Sequence, residues 1–166
     1  CLLAIQSGAQ YLSAGMRSGL FVEPRMSECR NRRILVAEDD TTNQMVILGI
    51  LKKLGYQTDV VSNGEDAVEA FRNGIYDLIL MDCRMPKMDG YAATGKIRSS
   101  DLENSTVPII ALTAHSLTGY REECLKAGMN DCLTKPINLQ ALTEVLDKWL
   151  DRGRPVCDLV SDEVIE

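Results

Sequence analysis

Short apolar runs of strand length recur along this chain, each separated from the next by an amphipathic stretch and a break. Four of them end on a residue suited to phosphate or a divalent cation. Ile34–Ala37 leads into Glu38 and Asp39, Leu78–Met81 into Asp82, Pro108–Leu112 into Thr113 and Ala114, and Asp131–Thr134 into Lys135 and Pro136. Continuous apolar runs are the signature of strands buried on both faces. Strands that alternate with helices predict a parallel sheet with helices on both sides. The carboxyl ends of such strands share one edge, and ligands bind there. Three carboxylates, a hydroxyl and an ammonium are therefore expected to converge on one small site.

The punctuation supports five strands and five helices. Strands are expected at 34–37, 57–61, 78–81, 107–112 and 131–134. Helices are expected at 43–54, 65–71, 91–98 and 117–127, with a fifth beginning after Asn138. Gly55 and Gly128 stand where helices one and four must end, and Asn63 and Asn138 stand where helices two and five need N-caps. Ile47, Ile50, Leu51 and Leu54 form one apolar face on the first helix. Leu139, Leu142, Val145, Leu146 and Trp149 form a stripe on the fifth. Right-handed crossovers and the chain length favour a flavodoxin-like α/β fold, a five-stranded parallel sheet of order 2-1-3-4-5. Gly95, inside the third helix, costs about 1 kcal/mol relative to Ala, and the sequence offers no functional reason for it.

Outside this unit, residues 1–31 carry small residues and weak patterning. They read as an N-terminal linker or one short helix, ahead of a unit spanning 32–150. Residues 151–166 read as an acidic tail. The chain opens on Cys1, which suggests a piece of a longer protein, and no DNA-binding output domain is expected after residue 150.

Composition narrows the function classes. A net charge of −6 argues against a nucleic-acid surface, which needs clustered Lys and Arg. No apolar run approaches the roughly 18–20 residues of a membrane span. The six cysteines contain no C-x-x-C pair, so free thiols in a reducing compartment are expected. A zinc site is not expected, because the one histidine, His115, has no ligand cluster around it.

The strand-end residues define the chemistry. Glu38, Asp39 and Asp82 would lie close if strands one and three are neighbours. Like charges that near raise one another's pKa. Mg²⁺ relieves that repulsion and favours hard oxygen ligands. Asp82, ending an apolar strand, is expected to be partly exposed, rigidly aimed and able to act as a nucleophile toward phosphorus. Lys135 supplies a point charge to a phosphate oxygen. Thr113 supplies a hydroxyl donor and Ala114 a backbone N–H. Asp40 either adds charge near the metal or caps the first helix.

These strings, in this order and spacing, resemble the receiver domain of two-component response regulators: ILVAEDD from Ile34, LILMDCRMPKMDG from Leu78, PIIALTA from Pro108 and LTKP from Leu133. Glu38-Asp39, Asn43-Gln44 and the Asp-Cys-Arg-Met-Pro run at the acceptor are most similar to receivers fused to hybrid sensor histidine kinases. The resemblance implies a phosphorelay module in the cytoplasm. Asp82 is then the phosphoacceptor, taking its phosphoryl group from phosphohistidine on a histidine kinase or a histidine phosphotransfer domain. Glu38, Asp39, Asp82 and the Arg84 backbone carbonyl would hold Mg²⁺. Thr113, Ala114 and Lys135 would bind phosphate, Thr113 acting as switch. A cis peptide is implied between Lys135 and Pro136. The family usually carries an aromatic switch residue where this chain has Cys132. Arg84 and His115 flank the acceptor site and are candidate regulators of acyl-phosphate lifetime. The residues leave the dimer state open. Two other readings are a metal-dependent phosphatase with an aspartyl nucleophile, disfavoured by Arg84 where a second acid belongs, and a stand-alone interaction receiver.

Overall fold

A computed structural model describes residues 32–114 and 118–150. Five strands are formed by Arg33–Ala37 (β1), Gln57–Val61 (β2), Leu78–Asp82 (β3), Ile109–Thr113 (β4) and Asp131–Thr134 (β5). The helices are Thr41–Leu54 (α1), Gly64–Asn73 (α2), Gly90–Arg98 (α3), Thr118–Lys126 (α4) and Leu139–Leu150 (α5). All strand pairs are parallel, and the order is β2-β1-β3-β4-β5, as expected from the alternation. The expected segments at 1–31 and 151–166, and His115, lie outside the described residues.

Alternating side chains of the central strands feed two separate cores. Leu35, Ile79, Met81 and Ile109 point to one face and pack with Phe71 of α2, Ile97 of α3 and Cys124 of α4. Ile34, Val36, Leu80 and Leu112 point to the other and pack with Ile47 and Leu51 of α1 and Leu142 and Leu146 of α5. Each such buried side chain contributes roughly 1.5–3 kcal/mol. The burial explains why β3 and β4 are apolar throughout until their last residue.

Helix ends follow local chemistry. Asp40 is the N-cap of α1, its side chain accepting from the Asn43 N–H at 2.9 Å; capping is thus its role here. Asn63 caps α2 and Asp89 caps α3. Gly55 ends α1 at φ 87, a left-handed conformation that favours glycine.

Some boundaries differ from the sequence-based expectation. β4 begins at Ile109 rather than Val107 and extends to Thr113, because Pro108 has no N–H to give the ladder and serves only as an acceptor, from Ile79 N–H at 2.9 Å. The α5 stripe is rotated. Leu139 is 41% exposed, while Leu142, Leu146 and Leu150 are buried. Leu139 opens the helix, at the rim, before the axis comes over the sheet.

Candidate functional site

Register sets the site. Ala37 lies opposite Met81, Asp82 opposite Leu112, and Thr113 opposite Thr134. The residues that follow these ends, or are these ends, therefore meet at one rim. Glu38 N–H donates to the Val61 carbonyl at 3.0 Å, which continues the sheet by one bond beyond β1.

Carboxylate oxygens of Glu38, Asp39 and Asp82 lie within 4.8 Å of one another. Asp39 is exposed and Glu38 is fully buried. Asp82 is 6% exposed, so the expected partly exposed carboxylate is instead a buried one. Lys135 Nζ covers its Oδ2 at 2.7 Å and the Arg84 N–H its Oδ1, while the β3–α3 connection packs on its backbone. Gly90 packs so closely that an added Cβ would sit 2.1 Å from the Asp82 carbonyl oxygen.

Lys135 joins the two buried acids. Its Nζ donates to Asp82 Oδ2 at 2.7 Å and to Glu38 Oε1 at 3.0 Å, and lies 2.7 Å from Glu38 Oε2. Oε2 is ion-paired with that ammonium but receives no well-directed hydrogen bond. Burial pulls the Lys135 pKa down, but hydrogen bonds and charge from Asp82 and Glu38 outweigh it and leave it raised. Burial likewise raises Glu38, against the opposing hydrogen bonds from Lys135 and Asn43, and the Asp82 charge adds to the rise. Lys135 is followed by a cis bond to Pro136.

Residues of α1 hold Glu38 in place. Asn43 Nδ2 donates to Glu38 Oε1 at 3.1 Å, and Gln44 Nε2 donates to the Glu38 carbonyl at 2.6 Å. The Asp40 N–H donates to the same Oε1 at 3.3 Å. Sequence reasoning singled out Asn43-Gln44 only as a likeness and assigned them no contact.

A cavity of about 120 Å³ opens beside Asp82. Arg84, Thr113, Ala114 and Lys135 line it, as the expected convergence requires, and so do Cys83, Tyr91 and Tyr120. Arg84 also donates its backbone N–H to Asp82 Oδ1 at 3.1 Å. The two tyrosines carried no signal in the sequence. Cys132 sits half-buried on β5, opposite Ala111, and is not part of this lining. Cys83, Cys124 and Cys132 are free thiols. The Cys83 and Cys124 sulfurs are 3.8 Å apart, and burial pushes the Cys83 thiol up to about 12.

The donor set fits a small hard dication. Two buried carboxylates held by one ammonium, with a third, exposed carboxylate beside them, carry more negative charge than Lys135 neutralises. Oxygen ligands and room for retained water are what Mg²⁺ requires. No helix among the described residues is long and apolar enough to cross a membrane.

Comparison with known proteins identifies the family. The profile of the response regulator receiver domain matches residues 34–147. Hybrid signal transduction histidine kinase B of Dictyostelium discoideum is 43% identical over 130 residues, which cover 72% of this chain and 7% of that protein. The chain thus spans less than a tenth of that relative. Among solved structures, the receiver domain of sensor histidine kinase PA1611 from Pseudomonas aeruginosa PAO1 superposes with a TM-score of 0.67 at 49% identity, covering 72% of this chain and 98% of that one. That structure has a magnesium ion coordinated in its active-site cleft. A receiver domain of a Saccharomyces cerevisiae response regulator, solved in complex with a histidine phosphotransfer signaling protein, gives 0.66 at 32% identity, covering 71% and 88%. Sheet order, strand-end acids and these matches agree: the chain belongs to the response regulator receiver domain family, and is a receiver of the two-component phosphorelay type most like those of hybrid sensor histidine kinases.

Proposed function

We propose that residues 32–150 form a receiver unit in which Asp82 accepts a phosphoryl group from a phosphohistidine. The observation that carries this is the Lys135 ammonium bridging Asp82 and Glu38 at 2.7–3.0 Å, on the rim where Asp39 and Thr113 also lie. In the step, Asp82 Oδ attacks phosphorus as the P–N bond to imidazole breaks, and the leaving imidazole keeps its electron pair. Little covalent chemistry is asked of the protein; positioning and charge neutralisation do most of it.

Glu38, Asp39, Asp82 and the Arg84 carbonyl would hold Mg²⁺, which supplies charge neutralisation at the phosphoryl oxygens. Lys135 takes one of those oxygens, exchanging part of its ion pair with Asp82. Thr113 Oγ1 and the Ala114 N–H take others. The added charge of about −1.5 to −2 draws Thr113 and Lys135 inward and biases the surface around α4 and β5. Arg84 borders the cavity and bears on the lifetime of the product.

The partner is a histidine kinase or a histidine phosphotransfer domain, and the complex seen for a related receiver supports the second. Helix α1 presents Met45 and Val46, 73% and 45% exposed, beside the acid cluster. An apolar helix face next to an acceptor carboxylate suits the helix that would carry a donor histidine. Origin in a hybrid kinase, with onward transfer of the phosphoryl group, is the reading its relatives favour.

The test is incubation with acetyl phosphate and Mg²⁺ followed by intact mass. One phosphoryl group should be gained, and none in Asp82→Asn or in excess EDTA. A gain that persists in Asp82→Asn refutes the assignment. Steady release of phosphate from an aryl phosphate ester would favour a phosphatase instead.

A further inference from the structure

We propose that Tyr120 is a positioning residue for the acyl phosphate: its ring forms the movable wall of the Asp82 cavity and limits the approach of water to phosphorus. The inference rests on Asp82 being the phosphoacceptor.

Four of the other lining residues, Asp82, Thr113, Lys135 and Tyr91, are fixed by the fold. Asp82 and Thr113 end strands that are hydrogen-bonded on both sides. Lys135 is held by two ion pairs. Tyr91 has its hydroxyl 3.9 Å from Cys124 Sγ and packs against the core. Tyr120 is different because of the helix that carries it. Of the α4 side chains from Gly119 to Lys126, only Cys124 is buried; α5, by contrast, is anchored by Leu142, Leu146 and Leu150. Beside the Arg121–Asp131 ion pair at 3.5 Å, that one small side chain is what α4 buries among its described residues, fewer than any other helix, so α4 is the described helix least held by burial.

Position on that helix matters as much. Tyr120 lies four residues before Cys124, so both sit on the face turned toward the sheet. Cys124 reaches the core, while Tyr120, one turn nearer the strand ends, reaches the cavity. Any displacement of α4 about Cys124 therefore moves the ring at the cavity. Strand β5 offers no substitute, since Cys132 does not reach this space.

The cavity size gives the ring a task. A cavity of about 120 Å³ has room for several waters. A phosphoryl group on Asp82 takes part of that space, and an attacking water must use what is left beside the walls. Hydrolysis needs that water: its oxygen bonds to phosphorus, the P–O bond to Asp82 breaks, the carboxylate is regenerated and inorganic phosphate leaves with the water's protons. A ring against the phosphoryl group occupies the volume that water would use.

Two measurements decide it. The first is the decay of acetyl-phosphate-labelled protein by intact mass, after removal of donor and with Mg²⁺ held constant. Tyr120→Ala should shorten the acyl-phosphate half-life by about three-fold or more, with the rate of labelling changed less, whereas Tyr120→Phe, which keeps the ring, should match wild type. The second uses wild-type protein carrying 3-fluorotyrosine, with the Tyr120 signal assigned from Tyr120→Phe. That ¹⁹F resonance should shift on adding beryllofluoride and Mg²⁺, a phosphoryl mimic. Equal half-lives for wild type and a folded Tyr120→Ala overturn the inference, as does a Tyr120 resonance unmoved by beryllofluoride. Should Tyr120→Ala fail to fold, the resonance alone decides. Wild-type protein that takes no label overturns the Asp82 assignment and this inference with it.

Discussion

Replacing Lys135 with methionine isolates what that ammonium does. The substitution keeps an unbranched chain of similar length and removes the charge. Left behind are a fully buried Glu38 side chain and an Asp82 side chain only 8% exposed, each now without its cation. Breaking a buried pair by removing one partner costs about 3–5 kcal/mol. Lys135 is itself 17% exposed and the site opens to solvent through the cavity, so the low end, about 3 kcal/mol, applies. For a domain of this size that is roughly a 10 °C fall in melting temperature. Thermal unfolding in EDTA, followed by far-UV circular dichroism, measures it. Adding Mg²⁺ should then raise the melting temperature of Lys135→Met more than that of wild type, since the dication replaces the missing charge. A variant that melts within about 2 °C of wild type in EDTA would refute the claim that Lys135 holds the acids together.

Three further outcomes follow from the geometry. Gly90→Ala should destabilise by about 3 kcal/mol in urea unfolding, because its Cβ would fall 2.1 Å from the Asp82 carbonyl, whereas Gly95→Ala, with nothing within 4 Å, should stabilise α3 by about 1 kcal/mol. Burial raises the Glu38 pKa above its usual 4.5, so the folded chain keeps that proton to higher pH than the unfolded chain, and stability is lost as pH rises through the folded value. Without metal, the urea midpoint of wild type should therefore decline as pH rises above about 4.5 relative to Glu38→Gln, and parallel profiles would contradict this. Asn43→Ala removes the amide that donates to Glu38 Oε1 and should weaken Mg²⁺ binding about ten-fold by calorimetry; unchanged affinity would show that Glu38 needs no such support.

The strands and their order were legible because burial on both faces leaves a pattern that neighbouring residues can show by themselves. Leu78 to Met81 can hardly be anything but an inner strand, and the residue after such a run must sit at the carboxyl edge. That is why Glu38, Asp39, Asp82, Thr113 and Lys135 could be placed together before any coordinates. The caps Asn63 and Asn138 were legible for the same reason, since a cap acts within three residues, and capping was one of the two readings open for Asp40. What stayed hidden depends on how distant elements cross. The burial of the Asp82 carboxylate comes from Lys135 across the rim and from the loop after β3, not from its own strand. The exposure of Leu139 depends on where α5 meets the sheet. The bond from Asn43 to Glu38 and the presence of Tyr91 and Tyr120 at the cavity are side-chain meetings between elements, and no local spacing announces them.

The central claim is that the phosphoryl group rests on Asp82 and on no other acid of the cluster. Borohydride reduces an acyl phosphate to the corresponding alcohol, turning a labelled aspartate into homoserine. Peptide mass spectrometry after acetyl phosphate, Mg²⁺ and borohydride should find homoserine at position 82, with Glu38 and Asp39 intact. Reduction at position 38 or 39 in place of 82 would contradict the account.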